Sequence, residues 1–370
     1  MIKEINAMSL PQFHWLKLTK KIRLTKTSYQ LCFEIPGELK NEFSFEAGQY
    51  CSLKYKGRTN DYSIVSAPYE ETLNFGLKMH AENSFANIIF QEVQEGDSLE
   101  VSLPKGRFTL AIKPNEKRTI LAFAAGIGIT PILSHLKNIL FNEELSRCFL
   151  FFGNRDLESI AFRKEIENLV QQYPERFSVY HFISREKINN PMLNSRIDEK
   201  RVELIINQIL GIDEEDDEST IWDATDEILI CGPGPMIKSV AQACYENGIR
   251  KKNIHFELFE AFDEDIYEVE ASLPHLENVK LNFELNGKSY SQNLESNITR
   301  IMKGLLDAGY EIPYSCKSGI CGVCQCRVKK GEVHMLENEF LTDQEVEKGM
   351  VLPCVSVALS QEVELDFDHF

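Results

Sequence analysis

The stretch that decides most about this chain is Cys316-Lys-Ser-Gly-Ile-Cys321-Gly-Val-Cys324, which is followed further on by Cys354. Its C-x₄-C-x₂-C…C spacing is one by which four thiolates hold the two irons of a [2Fe–2S] cluster. Gly319 and Gly322 let the loop curl closely enough for backbone N–H groups to point at the sulfurs. A zinc site, with cysteines in C-x₂₋₄-C pairs, or a set of disulfides would be spaced differently. The spacing therefore predicts a cluster and a one-electron carrier in this part of the chain.

The residues before these cysteines predict a small fold around the cluster. Val279–Leu285 alternates apolar and polar residues, Asn286-Gly287 is a hairpin turn signal, and Lys288–Asn293 can return as a partner strand. Ile298–Ala308 carries apolar residues at helical spacing. A small sheet, one helix and a glycine-rich metal loop form a β-grasp domain. Residues 278–370 in this way resemble plant-type ferredoxins.

The other six cysteines show no spacing typical of a disulfide framework, which indicates a reducing compartment. They are Cys32, Cys51, Cys148, Cys231, Cys244 and Cys326. Cys326 lies two residues beyond a predicted ligand, and it is either a spare ligand or a small buried residue on the strand that leaves the loop. No basic segment precedes an apolar one at the start, and no apolar run of about eighteen residues occurs. We therefore expect a cytoplasmic protein without a membrane segment.

The length of the chain indicates how many domains to expect, and its charge distribution excludes one class of function. A chain of 370 residues is expected to form two or three domains. Residues 213–227 and 257–277 together account for the whole net charge of −17, so the rest of the chain is neutral on balance. This distribution argues against nucleic-acid binding. The first stretch is interpreted as a solvated surface loop, and the second as a solvated acidic linker, placed at 260–277.

The middle of the chain, residues 116–259, predicts a doubly wound parallel α/β domain, because strands alternate with helices. The expected strands are Thr119–Ala125, Arg147–Gly153, Phe177–Ile183, Glu227–Cys231 and Asn253–Leu258. The expected helices are Ile132–Phe141, Ile160–Gln172, Val202–Leu210 and Met236–Asn247. Such sheets bind their ligands at the carboxyl ends of the strands.

Two glycine motifs follow strands of this domain. They are Gly126-Ile-Gly128-Ile-Thr130-Pro131 and Cys231-Gly232-Pro233-Gly234-Pro235-Met236. Glycines at such positions let a pyrophosphate approach the backbone and the start of the next helix. Together the motifs resemble the pyridine-nucleotide domain of the ferredoxin–NADP reductase superfamily. The resemblance implies that both loops flank the nicotinamide and that Cys231 lies beside its ring; the alternative for Cys231 is a small residue buried at a strand end.

The same resemblance implies a flavin-binding antiparallel β-barrel ahead of this domain, in residues 10–115. The expected strands are Leu16–Ile35, Gln49–Tyr55, Tyr62–Ser66, Leu73–Met79 and Ser98–Leu103. The superfamily's flavin motif R-x-Y-S-x-x-[ST] reads Asn60-Asp61-Tyr62-Ser63-Ile64-Val65-Ser66 here. By resemblance, Tyr62 packs against the flavin and Ser63 faces its N5 edge. Asn60 replaces the arginine that faces the flavin pyrophosphate, and Arg58 is the candidate substitute.

The second flavin loop of the superfamily is matched by Ser84, although the usual glycines before it are missing. The resemblance favours FAD over FMN. It also places Glu257 near the nicotinamide and Phe259 over the flavin face, with an ordinary core phenylalanine as the alternative for Phe259.

The order of the three domains resembles the reductase components of multicomponent oxygenases, most closely the phenylacetyl-CoA epoxidase type. Residues 152–155, 183–186 and 193–198 match that group. Phthalate-dioxygenase-type reductases share the order but bind FMN and use NADH. Arg155, Ser184 and Arg185 are expected to meet a 2′-phosphate, which favours NADPH over NADH. Either arginine could instead be an ordinary surface residue.

These observations predict an NAD(P)H-dependent reductase that passes electrons from NADPH through FAD to the cluster and on to an oxygenase component. A hydride carries two electrons and the cluster accepts one, so a flavin must stand between them. The alternative is a redox sensor or carrier with a degenerate flavin site. Five of the six acidic residues between the last two ligands form a cluster, which either steers a basic partner or forms a solvated helical face. They are Glu337, Glu339, Asp343, Glu345 and Glu347.

Overall fold

The structure is a computed structural model that describes residues 13–202, 224–260, 262, 264, 266–267, 273–314, 319, 322–336, 338 and 340–369. The chain divides into two compact units, Met1–Glu257 and Leu258–Phe370. Several predictions concern residues outside the described ones: most of the helix Val202–Leu210, most of the acidic stretch 213–227, the cluster ligands Cys316 and Cys321, and Glu337 and Glu339.

The first unit begins with a six-stranded antiparallel sheet. Its strands are β1 (Phe13–Arg23), β2 (Ser28–Glu34), β3 (Tyr50–Tyr55), β4 (Arg58–Ser63), β5 (Thr72–Lys78) and β6 (Ser98–Ser102), in the order β4-β3-β6-β1-β2-β5. A bridge between Ile64 and Phe75 links the two edge strands, so the sheet nearly closes into the predicted barrel. Helix α1 (Phe85–Glu92) lies between β5 and β6 in the chain.

The prediction of one strand over Leu16–Ile35 is wrong, because the segment is a hairpin of β1 and β2. The backbone turns at residues 24–27, where the Leu24 and Thr25 amides donate to the Ser28 carbonyl. The Thr25 and Ser28 hydroxyls, 2.7 Å apart, also bond each other. The turn contains no glycine, proline or asparagine, the residues by which turns are recognised in a sequence.

The first unit continues with a parallel five-stranded sheet. Its strands are β7 (Thr119–Ala125), β8 (Arg147–Asn154), β9 (Phe177–Ile183), β10 (Glu227–Cys231) and β11 (Ile254–Glu257), in the order β11-β10-β7-β8-β9. Helices α2 (Ile129–Asn142), α3 (Arg163–Gln172) and α4 (Gly234–Glu246) connect or follow these strands. The predicted doubly wound α/β fold is confirmed, and the first strand has the predicted bounds. Helix α3 starts later than predicted because Phe162 adopts a left-handed conformation, with φ +58°.

The second unit contains a mixed five-stranded sheet with the order β13-β12-β18-β14-β16 and a two-stranded sheet, β15-β17. The strands are β12 (Glu277–Leu285), β13 (Lys288–Ser296), β14 (Cys326–Lys330), β15 (Val333–Met335), β16 (Met350–Val351), β17 (Ser356–Ala358) and β18 (Glu362–Asp366). Asn286 and Gly287 both have positive φ, as a tight hairpin turn requires. Besides the predicted helix, α5 (Ile301–Asp307), there is a short helix α6 (Asp343–Glu347), which Thr342 and Glu345 stabilise by a capping box.

The acidic linker is not solvated throughout, because Ile266 and Tyr267 are buried. Glu257, an acidic residue just before the linker, is the last residue of β11 and is also buried. Among the described residues, no helix has the length and apolar character needed to cross a membrane.

Candidate functional site

The two predicted glycine loops contact each other at the carboxyl edge of the parallel sheet. β7 and β10 are hydrogen-bonded neighbours in which Cys231 pairs with Ala124. A Cβ on Gly128 would overlap the Cys231 carbonyl, so this position requires glycine, whereas a Cβ on Gly232 would lie 2.6 Å from Met236 Cε, the end of a flexible side chain. Helices α2 and α4 begin directly after these loops, and their first N–H groups face the same edge. The arrangement fits the pyrophosphate of a dinucleotide.

Ser63 and Glu257 form a buried pair although 194 positions separate them in the chain. The Ser63 hydroxyl donates to Glu257 Oε2 over 2.8 Å. Burial raises the pKa of the Glu257 carboxyl to about 8, the charge of Asp61 adds to the rise, and the hydrogen bond from Ser63 opposes it. A carboxyl with this pKa can hold or release a proton near neutral pH.

Cys231 lies beside this pair, because β10 and β11 are parallel neighbours in which Cys231 pairs with Glu257. Its side chain is fully buried. Burial, followed by the charge of Glu257, raises the pKa of its thiol well above the usual value. The thiol is therefore protonated at neutral pH, which excludes a role as a thiolate nucleophile. Cys231 and Glu257, which are predicted to lie near the nicotinamide, and Ser63, which is predicted to face the N5 edge of the flavin, are thus neighbours.

The two predicted flavin segments are also brought together. Arg58 Nη1 donates to the Asn83 carbonyl over 3.1 Å, and Ser84 caps α1 by accepting from the Asn87 amide. The Tyr62 ring stacks on Phe85, the first residue of α1, with 6.1 Å between ring centroids. Arg58 is exposed. An exposed guanidinium beside a helix N-terminus fits the pyrophosphate of FAD and supplies the cation that Asn60 cannot.

Two of the residues predicted to bind a cofactor are bonded within the protein. The Ser66 hydroxyl accepts from the Asn74 amide over 3.1 Å, and the Thr130 hydroxyl donates to the Ile127 carbonyl over 3.0 Å. Both side chains are buried. Phe259, in the second unit, is 43% exposed, which contradicts the alternative of an ordinary core residue.

The residues expected to meet a 2′-phosphate lie at the carboxyl ends of β8 and β9. The Arg185 amide donates to the Arg155 carbonyl over 2.8 Å, and the Ser184 hydroxyl donates to the Asn154 carbonyl over 3.3 Å. Both arginine side chains are exposed. Two exposed arginines whose backbones are hydrogen-bonded at a nucleotide-binding edge fit an added phosphate.

In the second unit, the predicted ligands Cys324 and Cys354 are buried in one hydrophobic core. Gly322, with φ +69°, lies so close to the Phe340 ring that a Cβ would overlap it. A buried pair of cysteines and a tightly curled loop fit an iron–sulfur cluster. Cys326 is fully buried on β14, as expected of a small core residue. Burial, with a smaller effect from Cys324, raises the pKa of its thiol.

Comparisons with known proteins agree with a nucleotide-binding domain and an iron–sulfur domain in this chain. A family model described as the oxidoreductase NAD-binding domain matches residues 123–242. A second, described as the 2Fe-2S iron-sulfur cluster binding domain, matches residues 283–359. The chain is an oxidoreductase with an NAD-binding domain and a [2Fe–2S] cluster-binding domain, as the sequence predicted. Its cofactors are NAD(P)H, FAD and the cluster, and its activity is electron transfer as a reductase.

Relatives of this reductase match it over nearly the whole chain. It is 28% identical to one of the subunits of the 1,2-phenylacetyl-CoA epoxidase of Escherichia coli (strain K12), over 96% of this chain and 98% of that one. It is 26% identical to the ferredoxin reductase component of 3-ketosteroid-9-alpha-monooxygenase of Rhodococcus rhodochrous, over 95% and 96%. The solved structure of phthalate dioxygenase reductase covers 96% of this chain and 98% of that one, at 24% identity and a TM-score of 0.50, and supports the fold.

The sequence offered no pattern for several charged residues that the structure places near this site. The charge of Asp61 raises the pKa of Glu257, and the Asp61 carboxylate accepts a hydrogen bond from the Ser52 hydroxyl over 2.5 Å. Lys137 and Glu70 form an ion pair of 2.8 Å. Isolated charges carry no spacing signal, so only the fold shows which of them are neighbours.

Proposed function

We propose that this reductase takes a hydride from NADPH and delivers single electrons through its cluster to the oxygenase component of a multicomponent system, of the phenylacetyl-CoA epoxidase type. The domain order and the reductase components among its relatives support this assignment. We propose the cytoplasm as its location. The six cysteines outside the predicted ligand set are all buried and form no disulfides, which suits a reducing compartment.

The observation that carries the proposal is the Ser63–Glu257 hydrogen bond beside Cys231 and the glycine loops. FAD, when bound, supplies the conversion of a two-electron donor into single electrons. The protein then has to bind, orient and manage a proton. Ser63 and Glu257 form a two-residue path in which a carboxyl with a pKa of about 8 holds a proton at neutral pH and can give it up and take it back through the Ser63 hydroxyl.

The remaining site residues have binding roles in this proposal. Arg58 and the start of α1 hold the FAD pyrophosphate, with Tyr62 against the flavin. The loops at Gly128 and Gly232 hold the pyrophosphate of NADPH, and Arg155, Ser184 and Arg185 its 2′-phosphate. Four cysteines hold the cluster: Cys316, Cys321, Cys324 and Cys354.

The decisive experiment separates the two halves of the electron path. Cys354→Ser is expected to abolish the cluster's visible absorbance and EPR signal, while the bound flavin is still reduced by NADPH. Cys326→Ala is the matched control, because Cys326 is buried two residues from a ligand and is not itself assigned as one. Loss of the cluster in Cys326→Ala together with its retention in Cys354→Ser would contradict the ligand assignment.

The terminal acceptor is tested with purified oxygenase components. NADPH-driven turnover of a phenylacetyl-CoA epoxidase-type oxygenase should require the wild-type reductase and be lost with Cys354→Ser. Wild-type protein that reduces an artificial dye but supports no such oxygenase would contradict the proposed partner while leaving the reductase activity intact.

A further inference from the structure

One side of α2 faces the flavin barrel along most of the helix. Thr130, Ser134, Lys137 and Phe141 are spaced three or four residues apart, so they lie on the same face of the helix. We name these four residues the α2 stripe. All of them except Phe141 are buried.

Each member of the α2 stripe contacts the barrel side. The Ser134 hydroxyl donates to the Ser66 carbonyl over 2.7 Å, and the Phe141 ring stacks on Tyr69 with 4.1 Å between centroids. Thr130 packs so closely on Gly76 that a Cβ there would lie 2.6 Å from Thr130 Cγ2. Lys137 Nζ lies 2.8 Å from Glu70 Oε2, which also accepts from the Ala67 amide over 2.7 Å.

Both ends of this contact lie close in sequence to the reaction site. The stripe begins just after the nucleotide loop that contains Gly126 and Gly128. The barrel residues that contact Ser134, Lys137 and Phe141 lie in the segment 66–70, which begins three positions after Ser63. A shift of α2 against this segment would therefore move the nicotinamide loop relative to the Ser63–Glu257 pair.

Lys137 is the charged member of the stripe, and it has two carboxylate partners. Glu70 belongs to the barrel side, whereas Glu165 lies on α3 of the same α/β domain, 2.9 Å from Nζ. The Lys137 side chain is only 4% exposed. A buried ammonium needs its partners, so its geometry is strongly restricted. The pair with Glu70 fixes the relative position of the two domains, and the pair with Glu165 does not.

We infer that Lys137 and Glu70 are positioning residues for hydride transfer, which hold the flavin segment at a fixed distance from the nicotinamide loop. The inference rests on the proposed function. Displacing reacting groups by about 1 Å can lower a rate by about 100-fold, even when the altered residue is remote from the reacting atoms. Loss of one bond among several in the stripe is expected to cause a smaller change.

The test compares Glu70→Gln with Glu165→Gln in the full holoenzyme. Each variant removes one charge partner of the same lysine, so simple weakening of a buried ion pair affects both. Stopped-flow flavin reduction at increasing NADPH gives the limiting rate and the apparent Kd separately. We expect Glu70→Gln to lower the limiting rate by about 3- to 10-fold with an unchanged Kd, and Glu165→Gln to change it by less than about 2-fold.

Equal limiting rates in the two variants would overturn the inference, and a change in Kd alone would also contradict it. Should Glu70→Gln not fold, Ser134→Ala is the deciding variant, because it removes the hydrogen bond to the Ser66 carbonyl and leaves the ion pair of Lys137 intact. We expect the same loss of limiting rate in Ser134→Ala. A wild-type limiting rate in this variant would overturn the inference. Failure of the proposed function looks different, since wild-type protein itself would then bind no flavin or show no flavin reduction by NADPH.

Discussion

Two buried glutamates lie at opposite edges of the same parallel sheet and have opposite surroundings. At the amino edge, Glu143 accepts from Arg118 through both carboxylate oxygens, from the Ser146 hydroxyl over 2.6 Å and from the Lys113 amide over 3.0 Å. At the carboxyl edge, Glu257 accepts from Ser63. In the part of the chain that the structure describes, no lysine or arginine pairs with Glu257.

The difference separates stability from reactivity. Glu143 is fully buried, and a paired cation with several hydrogen bonds compensates the cost of desolvating its charge. Glu257 has no such compensation, so burial raises its pKa to about 8. A raised carboxyl pKa in a ligand-binding edge is typical of a functional group. We therefore expect substitutions at the amino edge to change stability and substitutions at the carboxyl edge to change catalysis.

The largest expected effect is on stability, in Arg118→Met. The variant leaves Glu143 charged and buried without its cation, which costs about 3–5 kcal/mol of unfolding free energy. Lys113→Met is the matched control, because Lys113 pairs with Glu116 on the surface, where such pairs contribute about 0–1 kcal/mol. Urea unfolding measures both. Similar losses in the two variants would show that the amino edge is not a specially stabilised network.

The next effect is on the rate, in Glu257→Gln. The amide can neither give up nor take back a proton as a carboxyl with a pKa of about 8 can, so we expect the limiting rate of electron passage through the flavin to fall by about 10- to 100-fold. Stability at neutral pH should not fall. Glu246→Gln, at an exposed position of α4, provides the control, with both quantities unchanged. A wild-type rate in Glu257→Gln would remove Glu257 from the proton path.

A smaller effect follows from the pKa of Glu257 as the pH changes. The ordinary value is 4.5 and the folded value is about 8, so between them the folded protein holds a proton that the unfolded chain has lost. The contribution of this group to stability is therefore complete at low pH and declines as the pH rises towards 8. In Glu257→Gln the amide does not titrate, so this pH-dependent loss of stability is absent.

Melting temperatures of the wild type and Glu257→Gln measured from about pH 5 to pH 8 test this sign. We expect the melting temperature of the variant to rise relative to that of the wild type as the pH rises across the range, because only the wild type loses this contribution. Other titrating groups are common to both proteins and cancel in the difference. Two parallel curves would contradict a raised pKa at this position.

Much of this molecule could be predicted because its signals are local. Strand β7 was predicted with its observed bounds, since a continuous apolar run ends at a glycine loop. The hairpin at residues 24–27 was missed, because hydroxyl groups rather than glycine make its turn. Family resemblance alone places Ser63 at the N5 edge of the flavin and Glu257 near the nicotinamide. Their hydrogen bond spans 194 positions, and no pattern in the sequence encodes it.

The two edges also differ in their arginines, which leads to the smallest expected effect. Arg118 is buried and paired, whereas Arg155 and Arg185 are exposed at the carboxyl edge. Within the described ranges, neither of these two guanidinium groups pairs with a carboxylate. Two exposed arginines on adjoining backbone segments suit a dianionic phosphate, and a charge-assisted hydrogen bond contributes about 1.5–3 kcal/mol. They are therefore expected to select NADPH rather than to stabilise the fold.

In Arg185→Ala, we expect kcat/KM for NADPH to fall by about 10-fold, while kcat/KM for NADH and the melting temperature stay the same. Lys187→Ala removes a charge from an exposed position two residues away and should leave both nucleotides unaffected. Steady-state rates with an artificial electron acceptor give kcat/KM for NADPH and for NADH in the wild type and in each variant. A higher kcat/KM with NADH than with NADPH, unchanged in Arg185→Ala, would assign these arginines to the surface. The carboxyl edge would then owe its reactivity to the Ser63–Glu257 pair and the glycine loops, without a contribution from its exposed cations.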